Sequence, residues 1–437
     1  APGAYWPALG SFKHHLTAGG ILMITDKQTL REVVLREVAN AEIIDIHTHL
    51  YPSSFRGLLL WGIDELLTYH YLIAEYFRYS NLPYQQFFAL NKREQADLIW
   101  QTLFIDHSPV SEAQRGVLTV LSKLGLDVAA RDLNSYRQYF ANLRCDEYID
   151  HVFSLVNIKN VVMTNDPFDP LEKPFWDTEG NADPRFKAAL RLDPLLNDYP
   201  NAYKKLQDWG YQVSLTLDQR SLAEIRRFLA DWIKRMDALY VSVSLPPDFT
   251  VPEDSLRSRL IEQCIIPICR EFNVPFAMMI GVRRLVNAQL LMAGDSLGKA
   301  SLDAVEYLCR TYPENKFMVT MLSRENQHEL AITARKFRNL MVFGCWWYLN
   351  NPSIIEEITR ERMETLGLSF IPQHSDARVL DQLIYKWSHS RQIIAKVLID
   401  KYSDLLDTNW SISETEIHRD VSDLFGANLW RFIGRSN

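Results

Sequence analysis

The sequence predicts an α/β fold of the (β/α)8 TIM-barrel type with a large helical insertion after the first strand. Eight short β-rich runs recur from residue 41 onward, helical stretches separate them, and their C-terminal ends are polar. The runs lie at 42–47, 161–166, 188–193, 239–245, 275–281, 316–322, 340–345 and 368–373. They are continuously apolar and rich in Val, Ile, Met and Phe, as strands covered on both faces should be. Strand alternating with helix eight times over indicates a barrel rather than an open sheet. A doubly wound nucleotide-binding fold is the runner-up, but no Gly-x-Gly-x-x-Gly follows the first run.

Residues 1–25 mix Pro, Gly, aromatics and His14-His15 without a clean period. They read as a loosely ordered extension, with a natural start at Met23 as one option. The first run ends in Asp45-Ile46-His47-Thr48-His49, and on a strand a period of two puts Asp45, His47 and His49 on one face. A helical insertion follows at about 50–160, with helical period at 64–79, 92–104 and 110–124. An insertion there sits at the catalytic end of a barrel and roofs its pocket. A second excursion spans 197–237. No internal repeat, low-complexity tract or flexible linker interrupts the chain, so 26–437 reads as a single barrel domain.

At 437 residues the chain affords one large core, and its 47% hydrophobic and 23% charged residues are ordinary for a globular protein. Lys and Arg number 47 against 54 Asp and Glu, a net charge of −7. Nucleic acid is not an expected partner, though local basic pockets for an anionic substrate remain open. Five scattered cysteines without Cys-x-x-Cys spacing suit a reduced, cytoplasmic setting. No apolar run reaches the roughly 18 residues that span a bilayer, and the N-terminus lacks the order of a secretion signal. A soluble homo-oligomer is expected, with no membrane partner.

The barrel reading demands functional residues at the C-terminal ends of several strands. Those ends carry His47 and His49; Asn165 and Asp166; Arg191 and Asp193; Ser323 and Arg324; Trp346 and Trp347; and His374, Asp376 and Arg378. Any one of these serves equally well as an ordinary exit into a loop. The combination says more. Strands one and eight are neighbours in a closed barrel, so Asp376 can lie against His47 and His49 and complete a two-His, one-carboxylate metal site. Three protein ligands leave positions open for substrate and water.

Asp45–His49 and Gln373-His374-Ser375-Asp376-Ala377-Arg378 together resemble the amidohydrolase superfamily. More narrowly the chain is similar to the uronate isomerases (glucuronate isomerases). Leu60-Trp61, His70-Tyr71, 163–168, 191–194, 321–326 and Cys345-Trp346-Trp347 carry that likeness, which runs from about Ala41 to Arg435. The resemblance implies interconversion of D-glucuronate with D-fructuronate and of D-galacturonate with D-tagaturonate. It implies one divalent metal, usually zinc, on His47, His49 and Asp376. It also implies that Asp376 and His47 assist ring opening and that Tyr71 carries the proton between C2 and C1. Arg378 would lower the Tyr71 phenol pKa and stabilise the enediolate. His70, Arg191 and Trp346 would shape the substrate pocket.

The residues taken alone leave alternatives. Tyr71 also reads as a half-buried helix tyrosine, and Arg191 as the partner of Asp166 or Asp193 instead of a sugar carboxylate. Trp347, next along from Trp346, should point the opposite way into the core. His374 could donate behind the metal ligands; His107, His151, His328 and His389 read as structural or surface residues. Many members of the family carry Gly-Asp-His-Tyr-Lys where this chain has Thr68-Tyr69-His70-Tyr71-Leu72, which suggests a divergent branch. Two rivals stand beside the isomerase. One is a mononuclear metal-dependent hydrolase or decarboxylase on the same barrel; the other is a non-catalytic uronate-binding barrel.

Overall fold

The computed structural model describes residues 15–16, 22–178 and 180–435. Most of the predicted extension at 1–25 lies outside the described residues. Seven strands form one curled parallel sheet in chain order: β1 (Ile43–Thr48), β2 (Ile158–Asn165), β3 (Phe186–Arg191), β4 (Val241–Leu245), β5 (Phe276–Ile280), β6 (Phe317–Met321) and β7 (Leu340–Val342). Each lies on one of the predicted runs. The runs are apolar throughout because both faces are covered. Val161, Val243 and Val319 pack outward under the helices, whereas Val162, Ala189, Tyr240, Ala277 and Met318 fill the inside of the curl.

The eighth expected strand, 368–373, is not formed as such. It is reduced to one bridge between Phe343 and Ile371. Pro372 has no N–H to give a ladder, which ends pairing there. The segment still takes the place between β7 and β1. Ile371 N donates to Val342 O and Gly344 N to Ile371 O, and five residues on Asp376 N donates to His47 O and His49 N to Ala377 O.

Helix α1 (Lys27–Asn40) is capped by Asp26, whose carboxylate accepts from Thr29 N at 2.8 Å. The chain between β1 and β2 is helical and includes α2 (His70–Tyr76), α3 (Glu112–Lys123) and α4 (Cys145–Val156). The predicted helix 64–79 is broken. Ile63–Leu67 forms a short helix, Tyr69 is extended, and α2 begins at His70. The break matters because it turns His70 and Tyr71 into the first turn of a separate element. Helix α5 (Gln219–Met236) occupies the second excursion, and α6 (Gln382–Asp407) packs against α1, α3 and α4. Among the described residues no helix is long and apolar enough to cross a membrane.

Candidate active site

β1 delivers His47 and His49 to the mouth of the sheet. Its pairing with β2 shifts register between Asp45 and Thr48, so strict alternation does not persist to the strand end. Asp45 leaves the group expected from that alternation: it accepts from Ser375 N at 3.0 Å and from Trp387 Nε1, on α6, at 2.7 Å. Burial pushes its carboxyl pKa up.

Thr164 fixes the state of His49. Its Oγ1 lies 3.0 Å from Thr48 O and 2.9 Å from His49 Nδ1. A hydroxyl has one proton and a carbonyl can only accept, so Thr164 donates to Thr48 and accepts from His49 Nδ1–H. The lone pair of His49 is thereby left on Nε2. Burial, with Arg378 nearby, holds the His49 pKa well below its usual value, which keeps the ring neutral.

His47 Nε2 and His49 Nε2 stand 3.3 and 3.2 Å from Asp376 Oδ1. Close as they are, His47 Nε2 and Asp376 Oδ1 are buried without a hydrogen bond. The atoms converge on a point instead of bonding in pairs, and one ligand atom from each residue lies within 4.8 Å of the others. Each unmet buried polar atom costs about 1–3 kcal/mol, and a cation at that point would remove the cost for His47 and Asp376 while taking the free lone pair of His49. Two imidazoles and a carboxylate suit a divalent ion. The Asp376 backbone sits at φ +52°, a conformation a non-glycine residue keeps only under constraint. The backbone bonds on either side of it, Asp376 N to His47 O and His49 N to Ala377 O, supply that constraint at 3.1 and 2.7 Å.

The triad opens onto a chamber whose walls include His70, Arg191, Trp346 and Arg378. Past His49, His70 and Arg378 it widens into an outer space of about 530 Å³. His70 is neutral, because burial, with Arg378 second, brings its pKa down to about 3. Arg191 is held by Asp193 in a two-pronged pair, Nε to Oδ2 at 2.8 Å and Nη2 to Oδ1 at 2.9 Å. Asp193, not Asp166, is its bonded partner. Nη1 of Arg191 takes no part in that pair.

Tyr71 stands one layer back. Its ring packs edge-on against His70 at 4.7 Å and Tyr69 at 4.9 Å, and its buried hydroxyl has no hydrogen-bond partner. The expected lowering of its pKa by Arg378 is not found. Burial raises the phenol well above its usual value, with Tyr69 and Asp376 adding to the rise. Arg378 acts instead on Tyr69, which burial raises and the guanidinium partly offsets. Tyr69 lines the outer chamber.

Trp347 is the clearest departure from the sequence reading. Expected in the core, it lines the chamber beside Trp346. The reason is local: its φ of +48° breaks strand alternation and starts a tight turn, Trp347–Leu349. His374 is buried over Gly344, which sits at φ +70° and where a Cβ would meet the imidazole Nδ1 at 1.8 Å. Its ring lies 5.1 Å from that of His47, but neither nitrogen has a partner, so no donation to a metal ligand is seen. His107, His151, His328 and His389 lie away from the chamber walls. Ser242, which sequence reasoning missed, also faces the chamber. The signal was present in the alternation Val-Ser-Val-Ser of β4, which sets Ser242 and Ser244 on the face of Tyr240, inside the curl.

The chain matches no protein-family model and no curated protein, but solved structures resemble it over nearly its whole length. A uronate isomerase from Bacillus halodurans C-125 is 58% identical over 95% of this chain and 98% of that one, with a TM-score of 0.94. A glucuronate isomerase from Caulobacter crescentus (16% identical, 94% and 95% covered, TM-score 0.76) shares the fold. So does a uronate isomerase from Thermotoga maritima (14% identical, 94% and 100% covered, TM-score 0.72). With identity that high across both full chains, and with the histidine and aspartate of the motif converging in space, the chain belongs to the uronate isomerase family.

Proposed function

We propose that this protein is an aldose–ketose isomerase that interconverts D-glucuronate with D-fructuronate and D-galacturonate with D-tagaturonate through an enediol. The observation that carries this reading is the convergence of His47, His49 and Asp376 in the same chamber as His70, Arg191 and Arg378. A divalent ion on the triad, expected as one zinc per chain, would act there as a Lewis acid toward substrate oxygens. The rest falls to the protein. Arg191, fixed by Asp193, presents Nη1 to the sugar carboxylate. Asp376 and His47 take the proton of the anomeric hydroxyl and deliver one to the ring oxygen as the C1–O bond of the ring breaks. Tyr71, once ionised, takes the proton lost at C2 and delivers it to C1, and the Arg378 guanidinium faces the negative charge that develops on the enediol oxygens. Trp346 offers an apolar wall to the sugar. The helices between β1 and β2 act as the roof that brings His70 and Tyr71 to the strand ends of a single barrel-type domain spanning 26–437.

A binuclear hydrolase on this scaffold would need further metal ligands at later strand ends. Those ends read Ser244-Leu245-Pro246, Ile280-Gly281-Val282 and Leu322-Ser323-Arg324, and no second ligand cluster occurs among the described residues. The test is direct. Purified protein is given D-glucuronate and D-galacturonate in turn and the ketose is measured, with elemental analysis of protein prepared without chelator. Ketose formation and about one metal per chain are expected. No ketose from either sugar, or metal undiminished in a His47→Ala/His49→Ala double variant, sinks the reading.

A further inference from the structure

Among the wall residues to which the mechanism gives no part, Ser242 and Trp347 have buried polar atoms with nothing to bond. Ser242 is 1% exposed, and its Oγ is buried without a partner. It stands on β4, three places round the sheet from β1 and so away from the triad's own strand. Trp347 Nε1 is likewise buried and unpartnered. A serine hydroxyl inside a strand usually bonds a nearby carbonyl, and a buried indole N–H usually finds an acceptor. Neither does so here, and both residues line the chamber that holds His47, His49 and Asp376.

Trp347 carries a further sign of function. A bulky residue at φ +48° is held against its preference, and such strain persists where surrounding structure imposes it. The imposing contacts are visible: Leu349 N donates to Trp346 O and Asn350 N to Trp347 O, while Tyr348 stacks on the Trp347 ring at 4.8 Å. A relaxed strand conformation would turn the indole away from the chamber. The fold instead holds an unpaired N–H at its wall, 5.7 Å ring to ring from His70, whose Nε2 is also unpaired.

Resting on the isomerase reading, we propose that Ser242 and Trp347 form a hydroxyl-recognition subsite of the substrate pocket. Trp347 Nε1–H donates to one sugar hydroxyl, and Ser242 Oγ donates to or accepts from another. Both act on the part of the open chain not engaged by the triad and Arg191. They touch substrate but take no part in proton transfer, so they bind ground state and transition state alike. Losing either should raise KM and leave kcat nearly unchanged.

The experiment compares Ser242→Ala and Trp347→Phe with wild type, using D-glucuronate and its analogues that each lack one hydroxyl. Ser242→Ala deletes a single atom, and Trp347→Phe keeps an aromatic ring while deleting the N–H. Each variant should show KM raised about tenfold, the scale of one hydrogen bond, with metal content and Tm retained. For each variant the penalty should vanish with one analogue, the one missing the hydroxyl that residue holds. A KM within about twofold of wild type for Ser242→Ala, or a penalty equal across all analogues, overturns the proposal. Wild-type turnover keeps the isomerase reading standing whatever the variants do. If wild type binds D-glucuronate, seen as a rise in Tm, but does not turn it over, that reading fails. The subsite is then judged by whether Ser242→Ala diminishes the rise.

Discussion

Tyr71 has a hydroxyl that does nothing for the fold. It is buried, makes no hydrogen bond, and its pKa is driven up by burial, so removing it should not destabilise the protein. Tyr71→Phe therefore separates chemistry from structure. We expect Tm to hold or rise while kcat with D-glucuronate falls by at least about 10²-fold, the scale of general acid–base catalysis. Near-normal turnover would move the proton transfer elsewhere, with Tyr69 the nearest phenol under the influence of Arg378. Arg378→Lys keeps the charge but loses the planar fork, and it too should slow turnover. If both residues serve one step, the double variant should lose little more than the worse single one. The triad was legible from sequence because two-residue spacing and strand ends are covalent facts. The Trp347 site was not, because one positive φ overturns the alternation on which strand reasoning rests.

At the scale of elements, the site depends on how α2 is held. Glu75 of α2 accepts from Ser111 Oγ at 2.7 Å and Gln114 Nε2 at 2.9 Å, both at the start of α3. Ser111 and Gln114 also form a capping box there, so the cap of one helix is the anchor of the next. Helix α3 is in turn seated on α6 through Gly116, where a Cβ would meet the Tyr385 ring at 2.7 Å. Gly116→Ala pits two effects against each other. Helix propensity favours alanine by about 1 kcal/mol. Overpacking against a ring that is 5% exposed and cannot retreat costs about 1–3 kcal/mol. Packing should win, and thermal unfolding should show a lower Tm; a raised Tm would mean α3 and α6 separate freely. Seven strands were readable because both-face burial writes itself as apolar runs. The eighth was misread since Phe370 and Ile371 look like strand while Pro372 removes the donor that pairing needs. The break at Tyr69 was hidden because 64–79 keeps helical period straight through it.

For the whole molecule, the joint between the helices after β1 and the chain after the eighth strand position decides whether roof and triad stay in register. Asp381 makes that joint. Its Oδ2 accepts from Gly62 N at 2.8 Å and its Oδ1 from the hydroxyl of Tyr148 on α4, while Leu380 N donates to Leu60 O beside it. The carboxyl is fully buried, and burial pushes its pKa from 3.8 to about 6. A folded pKa above the unfolded one means the folded state holds its proton longer. The contribution of this group to stability is then complete below about pH 4 and is lost as pH rises through about 6. Asp381→Asn keeps the shape, cannot ionise, and preserves both bonds, with the amide oxygen accepting from Gly62 N and the amide N–H donating to Tyr148. Unfolding by denaturant should find variant and wild type close at pH 4. By pH 8 the variant should be the more stable by about 2–3 kcal/mol, which is the pKa shift expressed as free energy. A difference that does not change with pH would mean that Asp381 titrates alike in both states. A difference of the opposite sign would mean that the two donors stabilise its anion more than burial opposes it.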